Sequence, residues 1–108
     1  MARTIIVGDL HGCSAELARL LDHVGFSTGD RLVSVGDLIA RGPDPRGVID
    51  LVCDADGVAV RGNHEDRLLR FHEAREGRAR PALGPTHRAT AEALRKRDWA
   101  WLASLPLW

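Results

Sequence analysis

The sequence predicts an α/β fold, β-α-β-α-β-α with a three-stranded parallel sheet, followed by further helices. Three observations carry this. Three apolar runs, Thr4-Ile5-Ile6-Val7, Arg31-Leu32-Val33-Ser34-Val35 and Val58-Ala59-Val60-Arg61, each lead straight into a glycine. Those glycines, Gly8, Gly36 and Gly62, are 28 and then 26 residues apart, which is room for one strand-helix unit each time. The segments between them carry helical periodicity, and strands alternating with helices build a parallel sheet with helices packed on it. In such a sheet the three loops emerge side by side on the carboxyl edge, where open α/β sheets place their sites.

Each element has its own signals. Ser14 is the expected N-cap of the first helix, and Leu17, Leu20, Leu21 and Val24 recur at i, i+3, i+4 and i+7. Gly25 falls at the C′ position, and Ser27-Thr28-Gly29-Asp30 turns into the second strand. Asp44-Pro45 reads as N-cap and N1 of the second helix, with Val48, Ile49 and Val52 on its buried face. Asp54-Ala55-Asp56-Gly57 ends it. A third helix is expected from Glu65 to Glu76, with Leu68, Leu69 and His72 on one side. Residues 77–85 read as a turn-rich linker. Thr86 is the expected cap of a fourth helix through Arg97, and Asp98 the cap of a short last one, with Trp101, Leu102 and Leu105 inward. The domain plan is one partial domain over 1–108: strand-helix units over 1–76, linker over 77–85, helical segment over 86–105.

A chain of 108 residues makes at most one small domain. Its 15 basic and 15 acidic residues cancel, so global charge argues for neither nucleic acid nor membrane as a partner. The charge is unevenly spread: residues 1–60 balance at −4 and residues 61–108 at +4. The basic half reads as a solvated helical surface rather than an anion-attracting rim. Two cysteines without a CxxC pair, Cys13 and Cys53, suit a reduced, cytoplasmic chain. No apolar span is long enough to cross a membrane, and the start runs directly into a strand, leaving no room for a signal peptide. The apolar finish Leu105-Pro106-Leu107-Trp108 reads as the start of something that continues.

The loops hold Gly8-Asp9-Leu10-His11-Gly12, Gly36-Asp37-Leu38-Ile39-Ala40-Arg41-Gly42 and Gly62-Asn63-His64-Glu65. In an extended segment Asp9 and His11 point the same way and offer one cation an oxygen and an imidazole nitrogen. Asp37 arrives from the neighbouring strand, and its two oxygens can bridge two cations. Asn63 offers an amide oxygen to the second. Two divalent ions sharing a water make hydroxide near neutral pH, an attacking group for phosphorus. His64 is placed to protonate the leaving oxygen, and Arg41 to hold phosphoryl oxygens as a fork. Taken singly, each residue is ordinary: an Asp in a turn usually bonds its own backbone, and Arg41 is a surface arginine. Three such loops on consecutive strands are not explained by turn chemistry. His23 and His72 are expected at or near the helix surface, His87 is expected to face solvent, and Cys13 reads as a small buried residue.

These three motifs, an ordered set over residues 4 to 70, resemble the signature of calcineurin-like metallophosphoesterases. Within them they resemble the phosphoprotein phosphatase group, which includes symmetrical dinucleoside tetraphosphatases and bacterial Ser/Thr protein phosphatases. Asp98-Trp99-Ala100-Trp101-Leu102 to Leu105-Pro106-Leu107 is similar to a family segment as well. The resemblance covers the N-terminal half of that fold. It implies that Asp9 and His11 bind the first metal, Asp37 bridges both, Asn63 binds the second, His64 is the catalytic acid and Arg41 holds phosphate. It implies two divalent ions, manganese first, with iron, zinc, cobalt, nickel or magnesium as alternatives. The implied substrate is a phosphorylated small molecule such as a dinucleoside polyphosphate, or a phosphoprotein.

The chain departs from the family pattern in two places. Protein phosphatases carry Asp at the position of Ala40, where it orients the histidine equivalent to His64; Ala40 matches the dinucleoside tetraphosphatase form, while Glu65 matches the protein phosphatase form. The family also completes its second metal site with two later histidines, the first in a His-Ala-Gly motif, and neither motif occurs here. Two readings follow: the N-terminal part of a phosphoesterase working through a dimetal-bridged hydroxide, or a catalytically incomplete remnant or binding module keeping one partial metal site. The uncovered sheet is expected to favour self-association.

Overall fold

The computed structural model describes residues 3–40, 42–73 and 83–106. Three strands, β1 (Thr4–Val7), β2 (Arg31–Val35) and β3 (Val58–Val60), alternate with α1 (Ser14–His23), α2 (Pro45–Asp54) and α3 (Asn63–Glu73), followed by α4 (Pro85–Ala93) and α5 (Lys96–Ser104). The sheet has the order β1-β2-β3 and every pairing is parallel. The predicted α/β class and the three-stranded parallel sheet are therefore what the chain forms.

Register explains which face is covered. Ile5 pairs with Leu32, Val7 with Ser34, and Ser34 with Ala59, so these residues share one face. Val7, Leu32, Ser34 and Ala59 are buried there. The opposite face carries Ile6, Val33 and Val58 in one row and Val35 beside Val60 in the next. Ile6, Val35 and Val58 are 66%, 55% and 51% exposed. The core is a single cluster in which Leu17 of α1, Val48, Ile49 and Val52 of α2, Leu68 and Leu69 of α3, and Leu102 of α5 join Leu32 and Ala59. α1 packs on α2, α2 on α4, and α3 on both α4 and α5.

Several boundaries differ from the sequence expectation, each for a local reason. Cys13, not Ser14, is the N-cap of α1; the Ser14 hydroxyl instead donates to Asp44 Oδ2 at 2.6 Å. Leu20, expected on the buried stripe, is 38% exposed. Cys13 is only half-buried. The end of α1 follows the forecast: Gly25 takes φ 63°, with Phe26 N–H donating to Leu21 O and Gly25 N–H to Asp22 O, the double bond of a Schellman motif. Asp44 caps α2 as read, accepting from Gly47 N at 3.0 Å, with Pro45 at N1.

Helix α3 starts at Asn63, two residues before the expected Glu65, because Glu65 sits at N3 and its carboxylate accepts from Gly62 N at 3.0 Å. α4 opens one residue before Thr86, with extended Gly84 as N-cap and Pro85 at N1. It stops at Ala93 rather than running through Arg97, since Leu94 turns extended at ψ 137° and is buried. α5 then starts at Lys96, with Arg95 as N-cap. Asp98 caps it from inside: Arg95 N and Nε both donate to Asp98 Oδ2 at 2.8 Å, while Arg95 Nη2 reaches Asp50 of α2 at 2.7 Å. Residues 77–82 of the expected linker, and residues 74–76 of the expected third helix, lie outside the described residues.

A candidate metal centre at the carboxyl edge of the sheet

The three loops leave the carboxyl ends of β1, β2 and β3 and interlock through their backbones. His11 N donates to Asp37 O and Gly12 N to Leu38 O, both at 2.8 Å, and Asp44 N donates to Gly12 O at 2.9 Å. Gly42 lies so close to the first loop that a Cβ would fall on the His11 carbonyl. The second and third loops meet at Gly36 and Gly62: a Cβ on Gly62 would stand 2.8 Å from Asp37 N.

This interlock bends the backbone into conformations that L-residues avoid. Asp9, His11 and Asp37 have φ of 51°, 43° and 48°, and Asp56 is the other described non-glycine residue with positive φ. A left-handed residue of this kind persists only where its surroundings over-determine it, and such residues gather at functional sites. Asp9 and His11 thus do not share a direction through strand alternation, as the sequence suggested. They are brought together by two left-handed turns flanking buried Leu10.

The outcome is a cluster: one ligand atom each from Asp9, His11 and Asp37, all within 4.8 Å of one another. Asp9 is exposed, and His11 and Asp37 are half-buried. His11 Nδ1 is 3.1 Å from Ala40 O. A carbonyl only accepts, so Nδ1 is the donor in this contact, and in the neutral ring that leaves Nε2 with its lone pair, the tautomer a metal ligand needs. Two carboxylates and a neutral imidazole suit a divalent cation of the oxygen- and nitrogen-loving kind. The described donors therefore fit such an ion.

Asn63 is exposed at the first position of α3, one residue past the Gly62 contact with Asp37. His64 follows it: its Nε2 is 3.7 Å from Asp37 Oδ1, and its ring meets that of His11 edge-on at 5.9 Å. Arg41 lies outside the described residues.

Two residues were given no structural role at the site by the sequence reading. Glu65 is fully buried and straps two loops together, its Oε1 accepting from Gly62 N at 3.0 Å and its Oε2 from Leu38 N at 3.2 Å. Burial pushes its carboxyl above the usual carboxylate range, and the two backbone N–H groups oppose that without cancelling it. A glutamate three residues after a glycine N-cap was the available signal. His87 is the larger correction. Expected to face solvent, it is 7% exposed on α4, with its Nε2 2.7 Å from His64 Nδ1. It stands in the first turn of α4, one turn before Thr90, which is also buried. His23 is exposed, and His72 lies on α3 stacked flat on Trp99 at 4.0 Å.

The chain is 49% identical over 65 residues to serine/threonine-protein phosphatase 1 of Salmonella typhimurium, covering 59% of this chain and 30% of that protein. It is 49% identical over 70 residues to the symmetrical bis(5'-nucleosyl)-tetraphosphatase of a Shewanella species, covering 61% of this chain and 25% of the relative. It thus spans less than a third of the length of these curated relatives. A crystal structure of a metallophosphoesterase from Sphaerobacter thermophilus matches with a TM-score of 0.73 and 27% identity, over 95% of this chain and 40% of that one. The structure of a proposed diadenosine tetraphosphatase matches with a TM-score of 0.78 and 32% identity, over 97% of this chain and 47% of that one. With the family profile for calcineurin-like phosphoesterases matching residues 2–107, the fold and the sequence agree: this chain belongs to that family.

Proposed function

We propose that these residues form the first part of a metal-dependent phosphoesterase site that cleaves a phosphate ester or phosphoanhydride. The observation that carries it is the donor cluster of Asp9, His11 and Asp37, held in left-handed turns with His11 Nε2 kept as a lone-pair donor. Asp9, His11 and Asp37 would hold one divalent ion, manganese being our choice, and Asp37 with Asn63 would contribute to a second. Such ions polarise a phosphoryl group and make water a stronger nucleophile near neutral pH. His64 presents Nε2 to this edge and would give its proton to the leaving oxygen. Arg41 would hold the phosphoryl oxygens from its place in the second loop. The free cysteines Cys13 and Cys53 suit a reducing cytoplasm.

For substrate, a dinucleoside polyphosphate is favoured over a phosphoprotein. Ala40 is fully buried and its methyl group offers no carboxylate to His64. Glu65, which resembles the protein phosphatase form, spends both oxygens on backbone N–H groups and has no exposed surface with which to select a substrate. Parallel assays on diadenosine tetraphosphate and a phosphoserine peptide decide between them; faster release of phosphate from the peptide would reverse the preference.

A second reading is that the 108-residue polypeptide binds one ion without turning substrate over. Its support is that Asp37 and Asn63 are the donors these loops offer to a second ion. Calorimetry with Mn²⁺ tests what both readings share. Binding is expected, weakened more than about tenfold in Asp9→Asn and Asp37→Asn. No heat with the parent chain, or heat unaltered by both substitutions, would sink the site. Strong Mn²⁺-dependent phosphomonoester hydrolysis by the polypeptide alone would favour the enzyme reading over the second.

A further inference from the structure

We propose that His87 is the positioning residue for His64, a role that rests on the reading of His64 as the proton donor. His64 Nδ1 and His87 Nε2 are 2.7 Å apart, and the rings are tilted by 35° with centroids at 4.9 Å. Two imidazole nitrogens this close share one proton: two lone pairs repel, and so do two N–H groups. The contact therefore anchors the His64 ring. His64's remaining nitrogen, Nε2, points at Asp37 Oδ1 and the donor cluster. Position 40 supplies no such anchor, since Ala40 presents a methyl group and its carbonyl is taken by His11.

The structure commits α4 to this contact: His87 is buried in its first turn, and α4 packs on α3, which carries His64.

Nitrogen-15 NMR of the histidine side chains in the parent chain, without added metal, tests this. A through-hydrogen-bond coupling between His64 Nδ1 and His87 Nε2 is expected, together with one dominant arrangement of the His64 ring protons. His87→Phe keeps a ring in place but removes the nitrogens, and is expected to lose the coupling and shift the His64 nitrogens toward those of a free imidazole. His87→Gln, with an amide able to donate or accept, is expected to restore the ordered His64 signature. Mn²⁺ affinity is expected to stay within about twofold in both variants, because the contact they alter is with His64, which is not one of the three donors. Absence of the coupling in the parent, or a His64 signature unchanged in His87→Phe, overturns the proposal whether or not Mn²⁺ binds. A parent that shows the coupling but no Mn²⁺ binding upholds the pairing and removes the metal site instead.

Discussion

Gly62→Ala is expected to be among the most damaging single-methyl changes at this edge. The added Cβ would stand 2.8 Å from Asp37 N, 2.9 Å from Glu65 Oε1 and 3.2 Å from Gly36 Cα, where ordinary contact begins at 3.4 Å. Two of those three atoms are backbone, so no side-chain rotation relieves them. The second and third loops must separate by about 0.6 Å, and Glu65 must retreat by about 0.5 Å. That retreat stretches the 3.0 Å bond from Gly62 N to Glu65 to the edge of hydrogen-bonding range. Overpacking costs about 1–3 kcal/mol and the weakened charged hydrogen bond about 1 more, for a total of about 2–4 kcal/mol. In a domain of this size that lowers the melting midpoint by roughly 10–20 °C. Urea denaturation followed by circular dichroism measures the loss. Gly84→Ala is the control, because that glycine has an unexceptional φ of −68° and a Cβ added there would meet nothing within 4 Å. The same separation moves Asp37 away from Asn63, so Mn²⁺ affinity should fall with stability. A Gly62→Ala protein within about 0.5 kcal/mol of the parent, binding Mn²⁺ equally well, would refute the interlocked-loop account.

Other expectations follow from the same structure. Leu102 is fully buried in the common core, so Leu102→Ala should cost about 2–5 kcal/mol by the same denaturation assay. Burial raises the Asp98 carboxyl, but hydrogen bonds from Arg95 more than offset this and leave it below its ordinary 3.8; Asp44 is lowered by the Ser14 hydroxyl and Gly47 N. Carboxyls lowered in the fold contribute stability above pH 3.8 that is lost as pH falls through their folded values, so stability should drop below pH 3.8, less steeply in Asp98→Asn. Glu65 runs the other way: its contribution is whole below 4.5 and declines as pH rises through its raised value. The exposed row of Ile6 and Val58, with Val35 alongside, should drive concentration-dependent association in sedimentation, and Val58→Lys should reduce it with little loss of stability; a parent that stays monomeric at every concentration counts against that face.

Much of this architecture was legible in the sequence because it rests on short-range signals. Strand runs, the Gly25 stop and the Asp44-Pro45 start each act within a few residues, and the motif spacing then forces a parallel sheet. The boundaries that moved are those set by distant partners. Ser14 is drawn off its capping role by Asp44, 30 residues away, and Arg95 breaks the long helix expected through Arg97 by bonding Asp50, 45 residues away. The site divides the same way. Asp9, His11 and Asp37 announce themselves through loop position, whereas His87 reaches His64 across 23 residues with no periodicity to mark it.

The left-handed turns link site and fold. Asp9, His11 and Asp37 owe their backbone shape to main-chain bonds between loops and to the close approach of Gly42 and Gly62, not to their own side chains. Asparagine tolerates the left-handed region about as well as aspartate, so Asp9→Asn and Asp37→Asn should leave the loops in place while removing the charge an ion needs. A glycine substitution at position 42 or 62 attacks the scaffold instead, and takes stability and ion binding together. The two classes of variant thus separate what builds the site from what the site does. The donor geometry belongs to the folded backbone before any ion arrives, which is how a cluster of like charges can be held ready at modest cost.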